Sequence, residues 1–206
     1  MGLINEKYYQ KILGFKTGDN SHKNKWENKS EIKFPPPPIK IALLGDEKVG
    51  KTSICHSFVN LNLPEDYITT IGYEKFEKKE LLNNGKEVKL IIWDSGGQER
   101  FRSAAIKILK TVKKVIIVFD ITNRKSFDDI ENWLEIIKEK FNDPVIILFG
   151  NKVDVKKEEW KVTEEEINLF CTKKKLKYFG TSAKNNNGIK EGFSYLANII
   201  FERVVK

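Results

Sequence analysis

Reactive and metal-binding side chains are scarce in this sequence. Its 206 residues include two cysteines, Cys55 and Cys171, and two histidines, His22 and His56. Two cysteines this far apart exclude a disulfide framework and suit a reducing compartment, and two scattered histidines exclude a histidine-based metal site. The sequence also lacks an apolar run near the roughly 20 residues that span a bilayer, and it lacks the apolar stretch of a secretory signal. We therefore expect a cytoplasmic protein.

Basic residues outnumber acidic residues, and the positive excess is not confined to one segment of the chain. Lys and Arg total 37 against 29 Asp and Glu, a net charge of +8. The first forty residues contain eight basic and four acidic residues, so half of the excess lies there. A spread of this kind is typical of a solvated lysine-rich surface, and we expect no nucleic acid partner. With 40% hydrophobic residues, the chain can bury a single core, and we expect a monomer.

Residues 1–38 differ in composition from the rest of the chain. They are rich in Lys, Asn and Ser and end in four consecutive prolines, residues 35–38. Such a run favours an extended polyproline spacer, although it also matches the ligands of proline-binding modules. We therefore predict a flexible extension over 1–38 and a folded domain over 39–206.

From Ile39 onward, strand-like and helix-like patterns alternate. IKIALLG, VIIVFD and PVIILFG are short apolar runs of the kind found in strands that are covered on both faces. YEKFEKKELL and EVKLIIW flank NNGK, a hairpin signal. Apolar residues recur at helical spacing over 127–141 and 189–204. The alternation predicts an α/β domain with a largely parallel sheet, in which ligands bind beyond the carboxyl ends of the strands.

The stretch GDEKVGKTS matches the phosphate-loop pattern. Its glycines let backbone N–H groups turn toward phosphate, Lys51 reaches the terminal phosphates, and the Thr52 hydroxyl holds Mg²⁺. The position between a strand and a helix adds the helix N-terminus as an anion site. The residues of this stretch that we expect to contact the nucleotide are Gly45, Asp46, Glu47, Lys48, Val49, Gly50, Lys51, Thr52 and Ser53.

A second motif, WDSGGQERF, follows the third apolar run. Asp94 is placed for its carboxylate to reach the magnesium shell, Gly97 permits close approach of the backbone to a terminal phosphate, and Gln98 can orient a water. Asp-x-x-Gly is a weak signal by itself, but after a phosphate loop it indicates nucleotide hydrolysis.

Two later motifs indicate guanine as the base. In GNKVD, the carboxylate of Asp154 can accept two hydrogen bonds, from the N1 and exocyclic amino groups of guanine, whereas adenine lacks an amino group at that position and leaves the carboxylate unpaired. TSAK, residues 181–184, supplies backbone N–H groups to the other side of a base pocket. The residues of both motifs that we expect at the base are Asn151, Lys152, Asp154, Ser182, Ala183 and Lys184.

With these motifs the sequence resembles the Ras-like small GTPases, and within them the Rab branch, from Ile39 to the end. YITTIG is similar to the first switch of that family, WDSGGQERF to the second, and VFDITNRKSFDDIENW to the Rab fourth strand and third helix. The resemblance implies a P-loop NTPase G domain of three α/β/α layers. Its six-stranded, mostly parallel sheet would have one antiparallel strand and five flanking helices. It also implies binding of GTP and GDP with Mg²⁺ and slow GTP hydrolysis, as a molecular switch in vesicle or membrane trafficking.

The resemblance also implies roles at the phosphates and the metal. Lys51 would neutralise the β- and γ-phosphates. Thr52 and Thr70 would supply hydroxyls to Mg²⁺, Thr70 only in the GTP state, and Asp94 would hold Mg²⁺ through water. The Gly97 N–H would bind the γ-phosphate.

Further implied roles concern the attacking water and the base. Gln98 would place the water, with Lys51 and Thr70 as its partners in catalysis. Asp154 and Asn151 would select guanine, Lys152 would pack against the base plane, and the Ala183 N–H would bind the base oxygen. No residue is placed as an arginine finger in cis, so fast hydrolysis would need one in trans.

The family implies an exchange factor, a GTPase-activating protein and effectors as partners. The sequence ends in FERVVK without a terminal cysteine, so we expect no prenylation, and Glu6 stands where a myristoylation signal requires Ser or Thr. Peripheral contact with endomembranes would then come through the extension over 1–38 or through a partner.

Several residues depart from the family pattern. Glu47 and Lys48 replace small residues, and a side chain at position 47 would crowd Gln98 and an incoming arginine, which predicts slow hydrolysis. The alternative is that both side chains point to solvent and change little. Leu63 stands where an aromatic residue often contacts the guanine edge, and Lys75 where one would meet effectors.

Two other functions compete with the GTPase switch. Glu47 favours a pseudo-GTPase, an interaction module that binds guanine nucleotide without efficient cycling, whereas Thr70, Asp94 and Gln98 oppose it. An ATP-dependent phosphotransferase would use the same phosphate loop, but the guanine-type motif NKVD argues against it.

Overall fold

A single mixed sheet positions the phosphate loop, Asp94 and the two motifs predicted to bind the base. The computed structural model describes residues 36–62, 70–97 and 102–205, and within these it leaves aside the side chains at positions 102, 104, 204 and 205. Most of the predicted extension, Leu63 and Gln98 lie outside the described residues.

Six strands form the sheet in the order β2-β3-β1-β4-β5-β6. They are β1 (Ile39–Leu44), β2 (Tyr73–Leu81), β3 (Glu87–Ser95), β4 (Lys114–Asp120), β5 (Val145–Asn151) and β6 (Lys177–Thr181). β2 pairs with β3 in the antiparallel sense, around the NNGK turn. The other four strand pairings are parallel. This confirms the predicted mostly parallel sheet with one antiparallel strand.

The described residues contain six α-helices, one more than the family resemblance implies. They are α1 (Lys51–Val59), α2 (Arg102–Leu109), α3 (Arg124–Asp128), α4 (Ile130–Lys140), α5 (Glu164–Lys174) and α6 (Ile189–Val205), with a short 3₁₀ turn at Lys157–Glu159. The additional helix arises because Asp129, at ψ −7°, interrupts the segment predicted as one helix. That ψ lies well away from the α-helical value of about −42°. Within the described ranges, none of the helices combines the length and apolar character needed to cross a membrane.

Both faces of the sheet are covered, which produces two apolar layers. Alternate residues of β1 point to opposite faces: Leu43 packs in the layer with α1 and α6, and Leu44 packs in the layer with α2 to α5. In the first layer, Phe58 of α1 stacks on Phe193 of α6 with ring centroids 4.0 Å apart. In the second, Trp133 of α4 is fully buried. This arrangement confirms the predicted three-layer α/β/α fold.

The register of the parallel strands brings the motifs to one edge of the sheet. Leu43 of β1 is level with Asp94 of β3, and Asn151 of β5 is level with both Asp120 of β4 and Thr181 of β6. All these strands end at the same edge, because parallel strands run in one direction. Residues separated by up to 138 positions in the chain, 43 and 181, therefore come to one edge of the sheet.

Candidate active site

The phosphate loop requires glycine at both glycine positions of its pattern. Gly45 has φ 139° and Gly50 has φ 94°, a left-handed region that L side chains rarely adopt. A Cβ at Gly45 would clash with the carbonyl oxygen of Val118 on β4, and a Cβ at Gly50 would clash with the amide of Asn151 on β5. The loop therefore packs directly on the ends of two strands, and the spacing of the glycines reflects those contacts.

Lys51, the first residue of α1, is buried behind the loop. Its Nζ donates to the carbonyl oxygens of Gly45, at 2.9 Å, and Asp46, at 2.7 Å. Burial lowers the pKa of Lys51, and the nearby carboxylates of Asp94 and Asp46 oppose that effect. A Cβ on Gly97 would clash with Lys51 Nζ, so glycine there keeps the space beside the ammonium group open. The ammonium is thus a buried cation that an anion in the loop would stabilise.

The side chains predicted to hold Mg²⁺ converge. Thr52 Oγ1 donates to Asp94 Oδ2 at 2.5 Å, and Thr70 Oγ1 lies 3.0 Å from Thr52 Oγ1 and 3.4 Å from Asp94 Oδ2. Asp94 is fully buried, and its Oδ1 has no hydrogen-bond partner among the described residues. Burial raises the pKa of Asp94, while Lys51 and the Thr52 hydroxyl lower it.

This donor set fits Mg²⁺. In the part of the chain that the structure describes, no three His, Cys, Asp or Glu side chains are grouped to hold a metal. The site instead offers one carboxylate and two hydroxyls, and Mg²⁺ in phosphate-binding sites is held by few protein oxygens, with the phosphates and waters completing its shell. The unpartnered Asp94 Oδ1 is an oxygen that such an ion, or a water bound to it, would satisfy.

Asn151 joins three segments at the centre of the edge. Its Nδ2 donates to the carbonyl oxygen of Val49 in the phosphate loop at 2.9 Å. Its Oδ1 accepts from the Ala183 N–H at 3.2 Å and from Thr181 Oγ1 at 3.4 Å. The side chain is buried, and these bonds hold the phosphate loop to the loop after β6.

The residues predicted at the base lie beside Asn151. Asp154 is exposed, and its Oδ1 accepts from Ser182 Oγ at 2.6 Å. Lys152 has φ 71°, and its Nζ lies 2.5 Å from Asp120 Oδ2. A hydrogen bond and an ion pair thus hold two predicted base contacts in place.

The remaining predicted residues are at or near the same loop. Glu47, Lys48 and Lys184 are exposed, and Ser53 is half-buried. The exposure of Glu47 and Lys48 agrees with the alternative in which both side chains face solvent. Gln98, the residue predicted to place the water, lies outside the described residues.

Two side-chain contacts at the site were not predicted. Asp120, a buried carboxylate at the end of β4, orients Lys152. Its position, directly at the end of an apolar run, is the sequence pattern that could have indicated this role. Asp46 Oδ1 accepts from Trp133 Nε1 of α4 at 3.0 Å. Burial raises the pKa of Asp46 to about 6, with Asp129 adding to the rise and Trp133 opposing it.

Comparison with known proteins identifies relatives over most of the chain. The sequence model of the Ras family matches residues 40–202. Ras-related protein Rab-13 of Rattus norvegicus is 38% identical over 79% of this chain and 79% of its own length. Ypt/Rab-type GTPase ypt7 of Schizosaccharomyces pombe is 36% identical over 81% and 83%. Ras-related protein SEC4 of Saccharomyces cerevisiae is 35% identical over 81% and 76%.

Proposed function

The chain belongs to the Ras family as a Rab-like small GTPase, and from this premise we propose that it binds GTP and GDP with Mg²⁺ and hydrolyses GTP slowly, as a switch in membrane trafficking. The observation that carries the proposal is the convergence of Lys51, Thr52, Thr70 and Asp94 at one end of the phosphate loop, where one buried Asp94 oxygen has no partner among the residues that the structure describes.

The phosphate end of the site is suited to a polyanion. Lys51 is held in the loop by two carbonyl oxygens, and the phosphates of a nucleotide would take over from them as its partners. The first N–H groups of α1 add the partial positive charge of a helix N-terminus. Mg²⁺ held at Thr52, Thr70 and Asp94 would neutralise charge that develops on the transferred phosphate.

The base end is suited to guanine. Asp154 is oriented by Ser182, which leaves carboxylate capacity to accept from the N1 and amino groups of guanine. Lys152, tethered to Asp120, would cover the base plane. We infer that Asn151 acts mainly as a positioning residue, because both ends of its amide are bonded to the protein.

Hydrolysis would depend on Gln98 and on partners. Glu47 is exposed in the loop near Lys51, and we propose that with nucleotide bound its side chain competes for space with Gln98 and with an arginine that a GTPase-activating protein supplies. We therefore propose a slow intrinsic rate, with exchange factors and effectors controlling the switch at peripheral sites on endomembranes.

The test is to measure the nucleotide that copurifies with the full chain and its single-turnover GTP hydrolysis, with Mg²⁺ and after chelation. We expect bound guanine nucleotide and a rate on the order of 10⁻⁴ s⁻¹ or below, as for an unassisted small GTPase. Chelation should abolish turnover. Guanine nucleotide binding without turnover, even with an arginine-donating activating protein, would instead identify a binding-only module. Preferential binding of ATP would contradict both.

A further inference from the structure

A cavity lies at the end of the sheet opposite the candidate active site. Its volume is about 620 Å³, within the range of small-molecule sites. It opens where β5 and β6 begin and where α4 and α5 end, and α6 forms another wall. The lining residue of β5 nearest the site is Ile147, four residues before Asn151, so the cavity is about 13 Å from Asn151 along the strand. A ligand there would not compete with a nucleotide.

The cavity is strongly basic. No Asp or Glu is among its described lining residues, and five cationic side chains line it: Lys138, Lys174, Lys175, Lys177 and Arg203. Two of these cations have acidic neighbours outside the lining. Lys174 Nζ lies 2.6 Å from Glu131 Oε2, and Arg203 lies 3.6 Å from an exposed Asp143.

Some of these basic side chains neutralise the negative ends of the helices around the cavity, but this accounts for only part of the positive charge. The C-termini of α4, α5 and α6 each carry about half a negative charge, and basic residues in a last turn are favourable for that reason. Together with Glu131 and Asp143, the three helix ends offset about three and a half of the five positive charges. An excess of about one and a half positive charges remains in a concave site, where it attracts anions.

The positive potential continues along the same end of the sheet. Lys113 Nζ lies 5.7 Å from the centre of the Phe141 ring, and Phe141 lines the cavity. Burial lowers the pKa of the neighbouring Lys114, and repulsion from Lys113 and Lys40 lowers it further. Lysines from the starts of β1 and β4 thus extend the charge beyond the cavity.

The lining is also amphipathic. Phe141, Leu176 and Tyr195 contribute apolar surface among the cations, and Tyr195 is 38% exposed. Aromatic rings mixed with Lys and Arg are typical of side chains at the headgroup level of a membrane. A free phosphorylated metabolite would use the cations only, whereas a lipid would use both kinds of surface.

We propose that this basic cavity binds the phosphorylated inositol headgroup of an anionic membrane lipid. Phosphate monoesters present several acceptor oxygens to the ammonium and guanidinium groups, and the apolar rim faces the start of the acyl chains. Bound in this way, the domain would contact the membrane with one end and present the nucleotide edge to partners at the other. The site is independent of the proposed GTP hydrolysis.

The experiment compares cosedimentation of the full chain with three kinds of vesicle: phosphatidylcholine alone, with phosphatidylinositol bisphosphate, and with phosphatidylserine at equal surface charge. The cavity variant is Lys138→Glu with Lys177→Glu, both exposed positions. The matched control is Lys161→Glu with Lys190→Glu, two exposed lysines outside the cavity that cause the same change in net charge. Binding of fluorescent GDP and the circular dichroism melting curve verify folding.

We expect tighter binding to the inositol lipid than to phosphatidylserine. Binding of the cavity variant should be weaker by about 30-fold or more, because each basic residue near an anionic surface contributes about fivefold and charge reversal adds repulsion. The control should stay within about threefold of the parent. Lys138→Gln with Lys177→Gln replaces the cavity variant if charge reversal prevents folding.

Four outcomes would overturn the proposal. Equal binding to both anionic lipids would indicate diffuse attraction, as would equal losses in the cavity and control variants. Binding of soluble inositol bisphosphate, measured by calorimetry, without binding to vesicles would assign the cavity to a free phosphate. If the chain binds neither the vesicles nor soluble inositol bisphosphate, the cavity does not bind this ligand. Binding of GDP would still test the nucleotide site separately.

Discussion

At the residue scale, Asp94 is the carboxylate whose charge is costliest to bury at the nucleotide edge, the edge of the sheet beside the phosphate loop. Its carboxylate is fully buried, one oxygen is hydrogen-bonded to Thr52, and the other has no partner among the described residues. An ionised carboxylate in such a place is costly, and burial accordingly raises the pKa of Asp94. Lys51 offsets part of the cost, and a divalent cation would offset more. A bound cation therefore explains a buried carboxylate at this position better than the stability of the fold alone does.

Glu47 is the residue whose effect on rate is the most direct to measure. Replacing it in Glu47→Ser removes a charged side chain from the loop where Gln98 and an activating arginine would act. We expect single-turnover GTP hydrolysis to rise by about tenfold, or about 1.4 kcal/mol of activation free energy, with GDP affinity little changed. Glu158→Ser, a change of the same chemistry in the exposed 3₁₀ turn, should leave the rate unaltered. An unchanged rate in Glu47→Ser would mean that Glu47 only faces solvent.

At the scale of elements, a hydrogen bond from Trp133 Nε1 to Asp46 Oδ1 ties α4 to the phosphate loop. Asp46 also lies near Asp129, the residue that interrupts the helical segment before α4. Burial and this second carboxylate favour the protonated form of Asp46, whose pKa rises to about 6. The contact between loop and helix should therefore respond to pH.

The sign of that response is set by the direction of the shift. Asp46 has a higher pKa in the folded chain, about 6, than the ordinary 3.8. The folded state binds more protons between these values, so the free energy of unfolding falls as pH rises through that interval. The full pKa shift would lower the free energy of unfolding by about 3 kcal/mol above pH 6. Because Asp46 is only half-buried, we expect about 1 kcal/mol.

Asp46→Asn should remove this loss, because an amide keeps an acceptor for Trp133 and offers a donor to Asp129. Urea unfolding of the nucleotide-free protein should show the variant to be about 1 kcal/mol more stable than the parent at about pH 8, and equal to it at about pH 4. Glu158→Gln, an exposed acid replaced by its amide, should match the parent at both values. A variant less stable than the parent at pH 8 would show that the charged form of Asp46 is the favoured one.

At the scale of the whole molecule, the nucleotide edge unites segments that are far apart in the chain. The bond between Thr52 and Asp94 spans 42 residues, and the bond between Asn151 and Val49 spans 102. A ligand that contacts all of these segments binds the folded chain and not the unfolded one. Its binding free energy therefore adds to the stability of the molecule.

Thermal unfolding of the full chain should reveal both the binding and its specificity. GDP with Mg²⁺ at about a thousand times its dissociation constant adds about 4 kcal/mol, which raises the melting temperature by about 10 °C for a chain of this size. ADP with Mg²⁺ at the same concentration should leave the melting temperature nearly unchanged, because adenine has neither the N1–H nor the 2-amino group from which Asp154 would accept hydrogen bonds. Lys51→Ala should lose the response to GDP, and Lys161→Ala should keep it. Equal shifts with ADP and GDP would contradict guanine selection.

Much of the fold could be predicted from local patterns. β1, β4 and β5 are apolar runs because both of their faces are covered, and the NNGK turn places β2 beside β3. The division of the segment 124–140 could not be predicted, because both α3 and α4 fit one continuous helical periodicity. The backbone angle at Asp129 depends on how each helix packs on the sheet.

The sequence by itself determined the positions of the candidate functional residues. Glycines stand where the backbone adopts angles that side chains disfavour, and polar residues stand immediately after the apolar strands. Only the tertiary structure decided how these residues are paired. Trp133 with Asp46, Lys152 with Asp120, and the basic cavity between α4, α5 and α6 each join elements far apart in the chain. Periodicity states which face of an element is buried, whereas the neighbour on that face is set by how the layers pack.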